Sequence, residues 1–359
     1  MDILKSLIIA SEKAANIARI LRQNDRLLNI LTEQKDSSEA NPKFHEDFKT
    51  LADVLIQEMV RHDVSLKFPE IKTKIEGEEN CHFWNRLGEE VNIEIKSSEE
   101  ETTKMLLNIM DGETAAILAA EVHKNISFSE IDTKMPEYDF DINIDELGIW
   151  IDPIDGTNEY IKAKEDVKDG EIFLKGLKCV TVLIGVYDKN GVPIIGVINQ
   201  PFFEKSKRNS YQCHWGVCYQ NGNSQIKMST VNDTCSTNNK IICVSSNENE
   251  ENLKVLRDGG YTLVSPRGAG YKLLTVIIGL SDAYFLSKPT TYFWDTCAPH
   301  AILRALGGNV LHLDDILHRQ KMAVKYESKD RSRTDNYKGI LAYRDENVLE
   351  SLLKLNWTN

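Results

Sequence analysis

Two aspartates lie three positions apart in the segment GIWIDPIDGTNEYI, which spans residues 148–161. Asp152 and Asp155 follow an apolar run and precede an aromatic one. Two carboxylates ~4 Å apart repel each other by roughly 4 kcal/mol at an effective dielectric of ~20, and one of an isolated pair would take up a proton. A bound divalent cation replaces this repulsion by attraction. The alternative for this segment alone is a surface turn, because x-D-P-x-D-G is a common turn sequence.

Pro153 stands between the two aspartates and predicts that a strand ends there. Proline cannot donate a hydrogen bond to a neighbouring strand, and it holds the preceding residue in an extended conformation. The carboxyl end of a strand is a common place for ligands to bind. The segment therefore predicts carboxylates and free carbonyl groups at a sheet edge.

Further acidic residues occur at the predicted ends of strands and helices. Glu78 and Glu79 follow a strand-like segment, Asp53 lies at the start of a helical pattern, and Asp295 opens an apolar helix. Taken singly, Asp53 and Asp295 are better explained as helix N-caps. Together these side chains offer only oxygen ligands, which suits Mg²⁺ and not Zn²⁺.

Gly156 and Thr157 directly follow the paired aspartates. Glycine lets the backbone approach a ligand closely, and the N–H groups at a helix start suit a phosphate. The Thr157 hydroxyl can align a water molecule held by a metal. Carboxylates, a hydroxyl and exposed amides together predict metal-assisted hydrolysis of a phosphate ester.

In order and spacing these motifs resemble the signature of the lithium-sensitive, magnesium-dependent phosphomonoesterases, the superfamily that includes inositol monophosphatase. The resemblance covers nearly the whole chain. It rests on Asp53, the triplet Gly77-Glu78-Glu79, the run 152–157 and the pair Trp294-Asp295. Segments such as SEKAANIAR, GLKCVTVLIGVYD and HAILRALGG are similar to members that act on inositol polyphosphates.

The resemblance implies a layered αβαβα sugar-phosphatase fold with its site at the junction of the two halves. It also implies that two or three Mg²⁺ ions are bound and that Li⁺ inhibits by taking one metal position. The implied metal ligands are Asp53, Glu78, Asp152, the carbonyl of Ile154, Asp155 and Asp295, with Glu79 as a supporting or partial ligand.

The resemblance implies catalytic and substrate-binding roles as well. A metal-bound water would attack, oriented by Thr157, Glu78 and Asp53. The amides of Gly156 and Thr157, near Asp155 and Asp295, would hold the phosphate that is hydrolysed. The inositol ring or the remaining phosphate would contact Ser246, Gly268, Ala269 and Lys272. Judged from the residues alone, Lys272 is equally well explained as a lysine on a helix surface.

Two positions depart from the pattern of the inositol polyphosphate enzymes. Gly156 stands where a serine is common, and Glu248 stands where a basic side chain is expected in the loop after the first α/β strand. Three hypotheses follow. The first is removal of the 1-phosphate from inositol 1,4-bisphosphate and inositol 1,3,4-trisphosphate. The second, favoured by Gly156 and WDTCAP, is a 3'(2'),5'-bisphosphate nucleotidase acting on adenosine 3',5'-bisphosphate. The third is a non-catalytic protein that binds inositol phosphate or metal.

The strand and helix patterns change between residues 230 and 240. Strand-like segments with hairpin turns fill about 147–228, and strands alternate with helices from about 239. The prediction is an α+β domain over residues 1–236, which carries most metal ligands, and a smaller α/β domain over 237–359, which completes the site. The charged stretch 318–338 is predicted to be a surface loop.

The amino-acid composition limits which partners the protein can bind and in which cellular compartment we expect it to act. The net charge of −12 and the lack of a basic stripe argue against a nucleic-acid polymer as a partner. No apolar run approaches the ~20 residues of a membrane span, and the amphipathic N-terminus lacks the apolar core of a signal peptide. Seven scattered cysteines suggest reduced thiols. We therefore expect a cytoplasmic monomer that acts on a small molecule.

Overall fold

The structure is a computed structural model. It describes residues 2–23, 32–35, 48–85, 87–131, 133, 140, 142–203, 212–221, 224–231, 239–318, 320–327 and 334–357. All thirteen site residues named above lie within these ranges.

Strands and helices alternate irregularly along the chain. The strands are β1 (Thr32–Gln34), β2 (Phe48–Thr50), β3 (Ile75–Gly77), β4 (His82–Trp84), β5 (Glu90–Asn92), β6 (Gly148–Asp155), β7 (Val167–Asp169), β8 (Ile172–Lys175), β9 (Thr181–Tyr187), β10 (Pro193–Gln200), β11 (Gln212–Asn221), β12 (Ser224–Ser229), β13 (Ile241–Val244), β14 (Thr262–Val264), β15 (Ala283–Leu286), β16 (Asn309–His312) and β17 (Ile340–Tyr343). The helices are α1 (Asp2–Arg22), α2 (Leu51–Lys67), α3 (Glu99–Leu106), α4 (Gly112–His123), α5 (Thr157–Lys162), α6 (Glu250–Asp258), α7 (Ala269–Ile277), α8 (Phe293–Ala305), α9 (Leu313–Leu317) and α10 (Glu346–Leu353).

The first part of the chain forms a six-stranded sheet in the order β12-β11-β10-β9-β6-β3. Successive pairs from β12 to β6 are antiparallel, as expected for strands joined by hairpin turns. β3 is parallel to β6, so both strands end at the same edge of the sheet. This edge carries the acidic motifs.

The second part forms a five-stranded sheet in the order β14-β13-β15-β17-β16. β13 is parallel to both β14 and β15, whereas β15 pairs antiparallel with β17. The parallel strands are linked through helices α6 and α7, as the alternation of strand and helix patterns predicts. The carboxyl ends of β13, β14 and β15 therefore lie at one edge.

Five layers result from the packing of helices against these sheets. α1 and α2 pack together against the outer face of the six-stranded sheet, and α7 and α8 lie between the two sheets. Apolar side chains of α6, α9 and α10 cover the far face of the five-stranded sheet. The predicted layered αβαβα fold is confirmed.

Glycines let the central layer approach the first sheet. A Cβ at Gly185 in β9 would lie 2.7 Å from the carbonyl carbon of Cys297 in α8. Such a contact is closer than a methyl group tolerates, so α8 can pack this tightly only against glycine. The close contact fixes the position of Asp295 in the first turn of α8 relative to the strands.

Three local predictions differ from the structure. β6 continues through Pro153 to Asp155, although its pairing with β9 shifts register between Asp152 and Asp155. Before β3, residues Pro69–Lys74 form a 3-10 helix instead of a strand. The stretch 318–338 is not wholly a surface loop, since Val324, Tyr326 and Asn336 are buried. Because the composition of this stretch is charged, the sequence did not indicate that these residues would be buried.

Within the described ranges, no helix combines the length and the apolar character needed to span a membrane.

Candidate active site

The parallel pairing of β3 and β6 brings their acidic ends together. The Glu78 amide donates to the carbonyl of Ile151 at 3.1 Å, which extends the pairing one step beyond Gly77. A Cβ at Gly77 would lie 2.8 Å from the same carbonyl. The two strands can therefore approach this closely only with glycine at position 77, and Glu78 comes to lie near Asp152.

Asp152, Asp155 and Asp295 form the centre of the site. One carboxylate oxygen of each lies within 4.8 Å of the others, and all three side chains are buried. The first two come from the end of β6, whereas Asp295 comes from α8 in the other half of the chain. A group of three carboxylates at this spacing matches the geometry of a divalent cation site.

Asp155 also anchors the start of α7. Its Oδ1 accepts from the Ala269 amide at 2.9 Å, and its Oδ2 accepts from the Gly270 amide at 2.9 Å and from the Thr181 hydroxyl at 3.2 Å. Gly268 has a φ of 77°, and a Cβ there would lie 2.6 Å from Asp155 Oδ2. Gly268 and Ala269 thus act on Asp155 through backbone geometry.

Asp53 and Asp295 occupy equivalent places in their helices. Each is the third residue of its helix, and the N-caps are Thr50 and Tyr292. Asp53 Oδ2 accepts from the Thr50 amide at 2.7 Å, and Asp295 Oδ2 accepts from the Tyr292 amide at 2.6 Å. The explanation of either residue as a plain N-cap is therefore wrong. Each carboxylate uses one oxygen for the capping box.

The carboxylates raise one another's pKa. Burial raises the pKa of Asp152 well above its usual range, and the charges of Glu78, Asp155 and Asp295 raise it further. Burial raises the pKa of Asp53 to about 7, and the charge of Glu78 adds to this rise. The hydrogen bonds from Thr50 act in the opposite direction and lower the pKa. Burial also raises the pKa of Asp155, although the Ala269 amide and Lys272 oppose the change.

Two buried oxygens of the cluster have no protein partner within the ranges that the structure describes. Asp53 Oδ1 and Asp152 Oδ1 accept no hydrogen bond from the described residues. A buried carboxylate oxygen without a partner is costly unless it takes up a proton or binds a cation. Hard oxygen donors, mutual repulsion and free acceptor atoms together fit Mg²⁺.

Lys35 is the site residue that the sequence analysis missed. Its buried Nζ lies 2.7 Å from Glu78 Oε1 and 2.6 Å from Glu79 Oε1. Burial disfavours the ammonium, but the charges of Glu78 and Glu79 outweigh it and raise the pKa of Lys35. Burial raises the pKa of Glu79 to about 8, against the charge of Lys35. Lys35 lies in a polar stretch with no pattern that could have revealed it.

Glu79 is held by the protein on several sides. Its amide donates to Gln57 Oε1 at 2.9 Å, and Gln57 Nε2 donates to its carbonyl oxygen. Together with the contact to Lys35, these bonds fix the position of Glu79. Besides burial, the charges of Glu78 and Asp53 raise the pKa of Glu79, so Glu79 remains part of the acidic group.

Gly156 and Thr157 join the cluster to α5. Gly156 has a φ of 88°, a conformation that favours glycine over any other residue, and it is the N-cap of α5. Thr157 Oγ1 donates to the Ile154 carbonyl at 3.0 Å. The hydroxyl is therefore fixed as a donor within the protein, and its lone pairs can still accept a hydrogen bond.

Lys272 is buried and lies beside the cluster. Its Nζ donates to the Gly268 carbonyl at 3.1 Å and lies 5.7 Å from the centre of the Tyr284 ring. The explanation of Lys272 as a lysine on a helix surface is wrong, because only 3% of the residue is exposed. Helix α7 turns this face toward the sheet edge.

Ser246 and Glu248 lie in the loop after β13. Ser246 is exposed at the sheet edge, whereas Glu248 is buried. The Ser287 amide donates to Glu248 Oε2 at 2.9 Å, and the Ser287 hydroxyl donates to Oε1. Glu248 therefore binds the loop after β15.

Fold and site together match what is expected of a phosphate-ester hydrolase that uses divalent cations. Comparison with known proteins identifies the family. The profile of the inositol monophosphatase family matches residues 4–347. The chain belongs to this family.

Individual relatives agree with this assignment. The chain is 40% identical to the inositol polyphosphate 1-phosphatase of Mus musculus, over 98% of this chain and 96% of that protein. It is 29% identical to the 3'(2'),5'-bisphosphate nucleotidase 1 of Rattus norvegicus, over 86% of this chain and 82% of that protein. In fold it is similar to the extragenic suppressor protein suhB of Bartonella henselae, with a TM-score of 0.54, 15% identity and 99% coverage of both chains.

Proposed function

We propose that this chain is a Mg²⁺-dependent, Li⁺-inhibited phosphatase that removes the 1-phosphate from inositol 1,4-bisphosphate and inositol 1,3,4-trisphosphate. The observation that carries the proposal is the buried group of Asp152, Asp155 and Asp295, with one oxygen of Asp152 accepting no hydrogen bond from the described part of the chain. The 40% identity with the mouse inositol polyphosphate 1-phosphatase over nearly the whole chain supports the substrate class.

Two or three Mg²⁺ ions would be held by oxygen ligands of the two halves. The proposed ligands are Asp53, Glu78, Asp152, the carbonyl of Ile154, Asp155 and Asp295. When bound, Mg²⁺ would neutralise these carboxylates, activate water and stabilise the leaving oxygen. Glu79 would support the site from the outside, because its carboxylate contacts Lys35.

Thr157 and Glu78 would orient the attacking water. The Thr157 hydroxyl donates to the Ile154 carbonyl and so can accept a hydrogen bond from water. A carboxylate oxygen of Glu78 can accept a proton, with Asp53 fixed beside it by Thr50. The amides of Gly156 and Thr157 would hold the phosphate that is hydrolysed.

Lys272, Ser246 and the backbone at Gly268 and Ala269 would contact the remainder of the substrate. The ammonium of Lys272 is held in place by the Gly268 carbonyl. A cation fixed in this way can bind a phosphate or a ring hydroxyl with little loss of side-chain entropy on binding.

We further propose an α+β domain over residues 1–236 and an α/β domain over 237–359. The change from one sheet to the other between β12 and β13 supports this boundary. The cysteines Cys81, Cys179, Cys213, Cys218, Cys243 and Cys297 are all free, which supports a reducing compartment such as the cytoplasm. We propose that the protein acts there as a monomer.

One assay tests the proposed function. Phosphate release is measured from inositol 1,4-bisphosphate and from adenosine 3',5'-bisphosphate, with Mg²⁺ and with or without Li⁺. We expect turnover of the inositol substrate, dependent on Mg²⁺ and reduced by Li⁺. Preference for the nucleotide would establish the second hypothesis instead. Failure to hydrolyse either substrate would favour the third hypothesis, a non-catalytic binding protein.

A further inference from the structure

The loops after β13 and β15 lie side by side at the edge that carries the site. β13 and β15 are parallel neighbours, with Val244 paired to Phe285 near their ends. The loop after β14 reaches the same edge and leads into α7, where Asp155 binds the first amides. The chain that follows β15 leads directly to Asp295 in α8. Side chains of the two loops therefore lie at the rim of the acidic cluster.

Glu248 connects these two loops through hydrogen bonds, which use the accepting capacity of its carboxylate. Besides the two donors of Ser287, its Oε1 accepts from the Asn249 amide at 2.8 Å and from Asn252 Nδ2 at 3.3 Å. Four donors on one buried carboxylate leave little capacity for another ligand. Glu248 is thus an anchor for the loops and does not face substrate.

Lys288 directly follows Ser287 in the loop after β15. Its ammonium lies against the loop after β13. Its ammonium donates to the carbonyl of Asn247, next to the exposed Ser246. No carboxylate in the described ranges forms an ion pair with Lys288, so its charge is not neutralised there. Pro289 restricts the backbone of Lys288 to an extended conformation. The lysine is therefore held at the rim with its charge available.

Each of the other cations near this edge already has a carboxylate partner or, for Lys272, the substrate contact proposed above. Lys272 is buried against the Gly268 carbonyl and the Tyr284 ring. Arg267 lies 4.0 Å from Glu159. Lys35 contacts Glu78 and Glu79. A second substrate phosphate would lie away from the metals. In this acidic protein it needs a separate positive charge to bind it.

We propose that Lys288 and the Ser246 hydroxyl form a subsite for the substrate phosphate that is not hydrolysed. The subsite rests on the proposed function, since it assumes a substrate with two phosphates. The anchoring of Glu248 by Ser287 gives the subsite its geometry: the carboxylate is turned inward, and the lysine beside Ser287 supplies the positive charge at the rim.

The test compares substrates with and without the second phosphate. KM and kcat are measured for inositol 1,4-bisphosphate and inositol 1-phosphate in the wild type, Lys288→Ala and Lys288→Arg. Loss of one charge-assisted hydrogen bond should raise KM for the bisphosphate roughly 10-fold in Lys288→Ala, with kcat unchanged. KM for inositol 1-phosphate should not change, and Lys288→Arg should restore most of the affinity. Lys189→Ala, which removes the same charge from a turn of the other sheet, should match the wild type.

A binding measurement keeps the subsite separate from turnover. Inositol 4-phosphate carries only the phosphate that remains, and its dissociation constant is measured by calorimetry in the same variants. Weaker binding to Lys288→Ala, again by roughly 10-fold, supports the subsite. Equal binding to the wild type and Lys288→Ala, or an equal rise in KM for both substrates, overturns it. If the wild type fails to hydrolyse the bisphosphate, the proposed function is wrong, whatever Lys288 does.

Discussion

Asp155 links the chemistry of the site to the position of a helix. Its carboxylate belongs to the group of three aspartates, and the same oxygens bind the first two amides of α7. A carboxylate at a helix N-terminus also interacts favourably with the helix dipole. Any change at this residue therefore affects both cation binding and the orientation of Lys272 on α7.

Asp155→Asn should abolish Mg²⁺-dependent turnover. The asparagine can accept one of the two α7 amides but presents its own NH₂ to the other, which we expect to cost about 1–3 kcal/mol of stability. Loss of a charged ligand should lower kcat roughly 100-fold or more. Phosphate release and thermal unfolding are measured together. Activity near that of the wild type would contradict the assignment of Asp155 to the metal site.

Lys35→Met should destabilise the protein when divalent cations are absent. Removing the ammonium leaves the half-buried Glu78 and the buried Glu79 without their counter-charge, and breaking a buried pair typically costs about 3–5 kcal/mol. Mg²⁺ should restore much of the loss, because it can neutralise Glu78. Tm is measured with EDTA and with Mg²⁺. Lys49→Met, on the neighbouring strand β2, serves as the control. The same Tm difference between EDTA and Mg²⁺ in Lys35→Met and in the wild type would refute this role.

At the scale of elements, the start of α7 is the joint between the two halves of the site. The helix begins only after Gly268 has taken a left-handed conformation, and its first amides then meet Asp155 from the other sheet. Short contacts between Gly268, Cys179 and Asp155 leave no room for a side chain. The sheet edge and the helix start are thereby held in one arrangement.

Gly268→Ala should disturb this joint. The φ of 77° is unfavourable for alanine by about 1–2 kcal/mol, and the methyl group would lie 2.6 Å from Asp155 Oδ2. We expect a lower Tm and a large loss of kcat/KM. Gly307→Ala is a matched control, since its φ of 93° is also positive but a Cβ there meets no atom within 4 Å. Equal loss of activity in both variants would show that backbone strain alone is responsible.

At the scale of the whole molecule, the site exists only where the two halves meet. Asp53, Glu78, Asp152 and Asp155 come from the six-stranded sheet and its helices, and Asp295 and Lys272 come from the central layer. Where the halves meet, the carboxylates outnumber Lys35 and Lys272, so the site carries excess negative charge when no cation is bound. Cation binding should therefore stabilise the contact between the halves.

Without metal, stability should fall as pH rises from 6.5 to 8. The folded protein keeps protons on Asp53 and Glu79, whose pKa values are raised by burial to about 7 and about 8, whereas the unfolded chain has lost them. The folded state then binds more protons, so unfolding becomes easier at higher pH. His214 and His300, with pKa values lowered by burial to about 4 and about 3, act in the opposite direction only below about 6.5.

Thermal unfolding across this pH range, with EDTA and with Mg²⁺, checks the expectation. Mg²⁺ should flatten the dependence, because a bound cation favours the ionised carboxylates. A Tm that rises with pH in EDTA would contradict the stated pKa directions.

Much of the fold follows from local patterns in the sequence. The apolar runs of β6 and β9, the amphipathic character of α1 and the break between α3 and α4 at Asp111 are all visible in single segments. These features depend on side-chain periodicity and capping, which act over a few residues. Buried residues in the charged stretch 318–338 were missed because their contacts are with distant elements.

The sequence by itself determined the acidic motifs, their order and the family resemblance, because residue types at short spacing limit which ligands can be bound. The tertiary structure alone decided which carboxylates meet, since Asp295 reaches Asp152 only through the packing of α8 against the first sheet. It also placed Lys35 between Glu78 and Glu79, turned Glu248 inward to Ser287 and left Lys288 at the rim. These outcomes depend on contacts between residues far apart in the chain, and no local pattern encodes them.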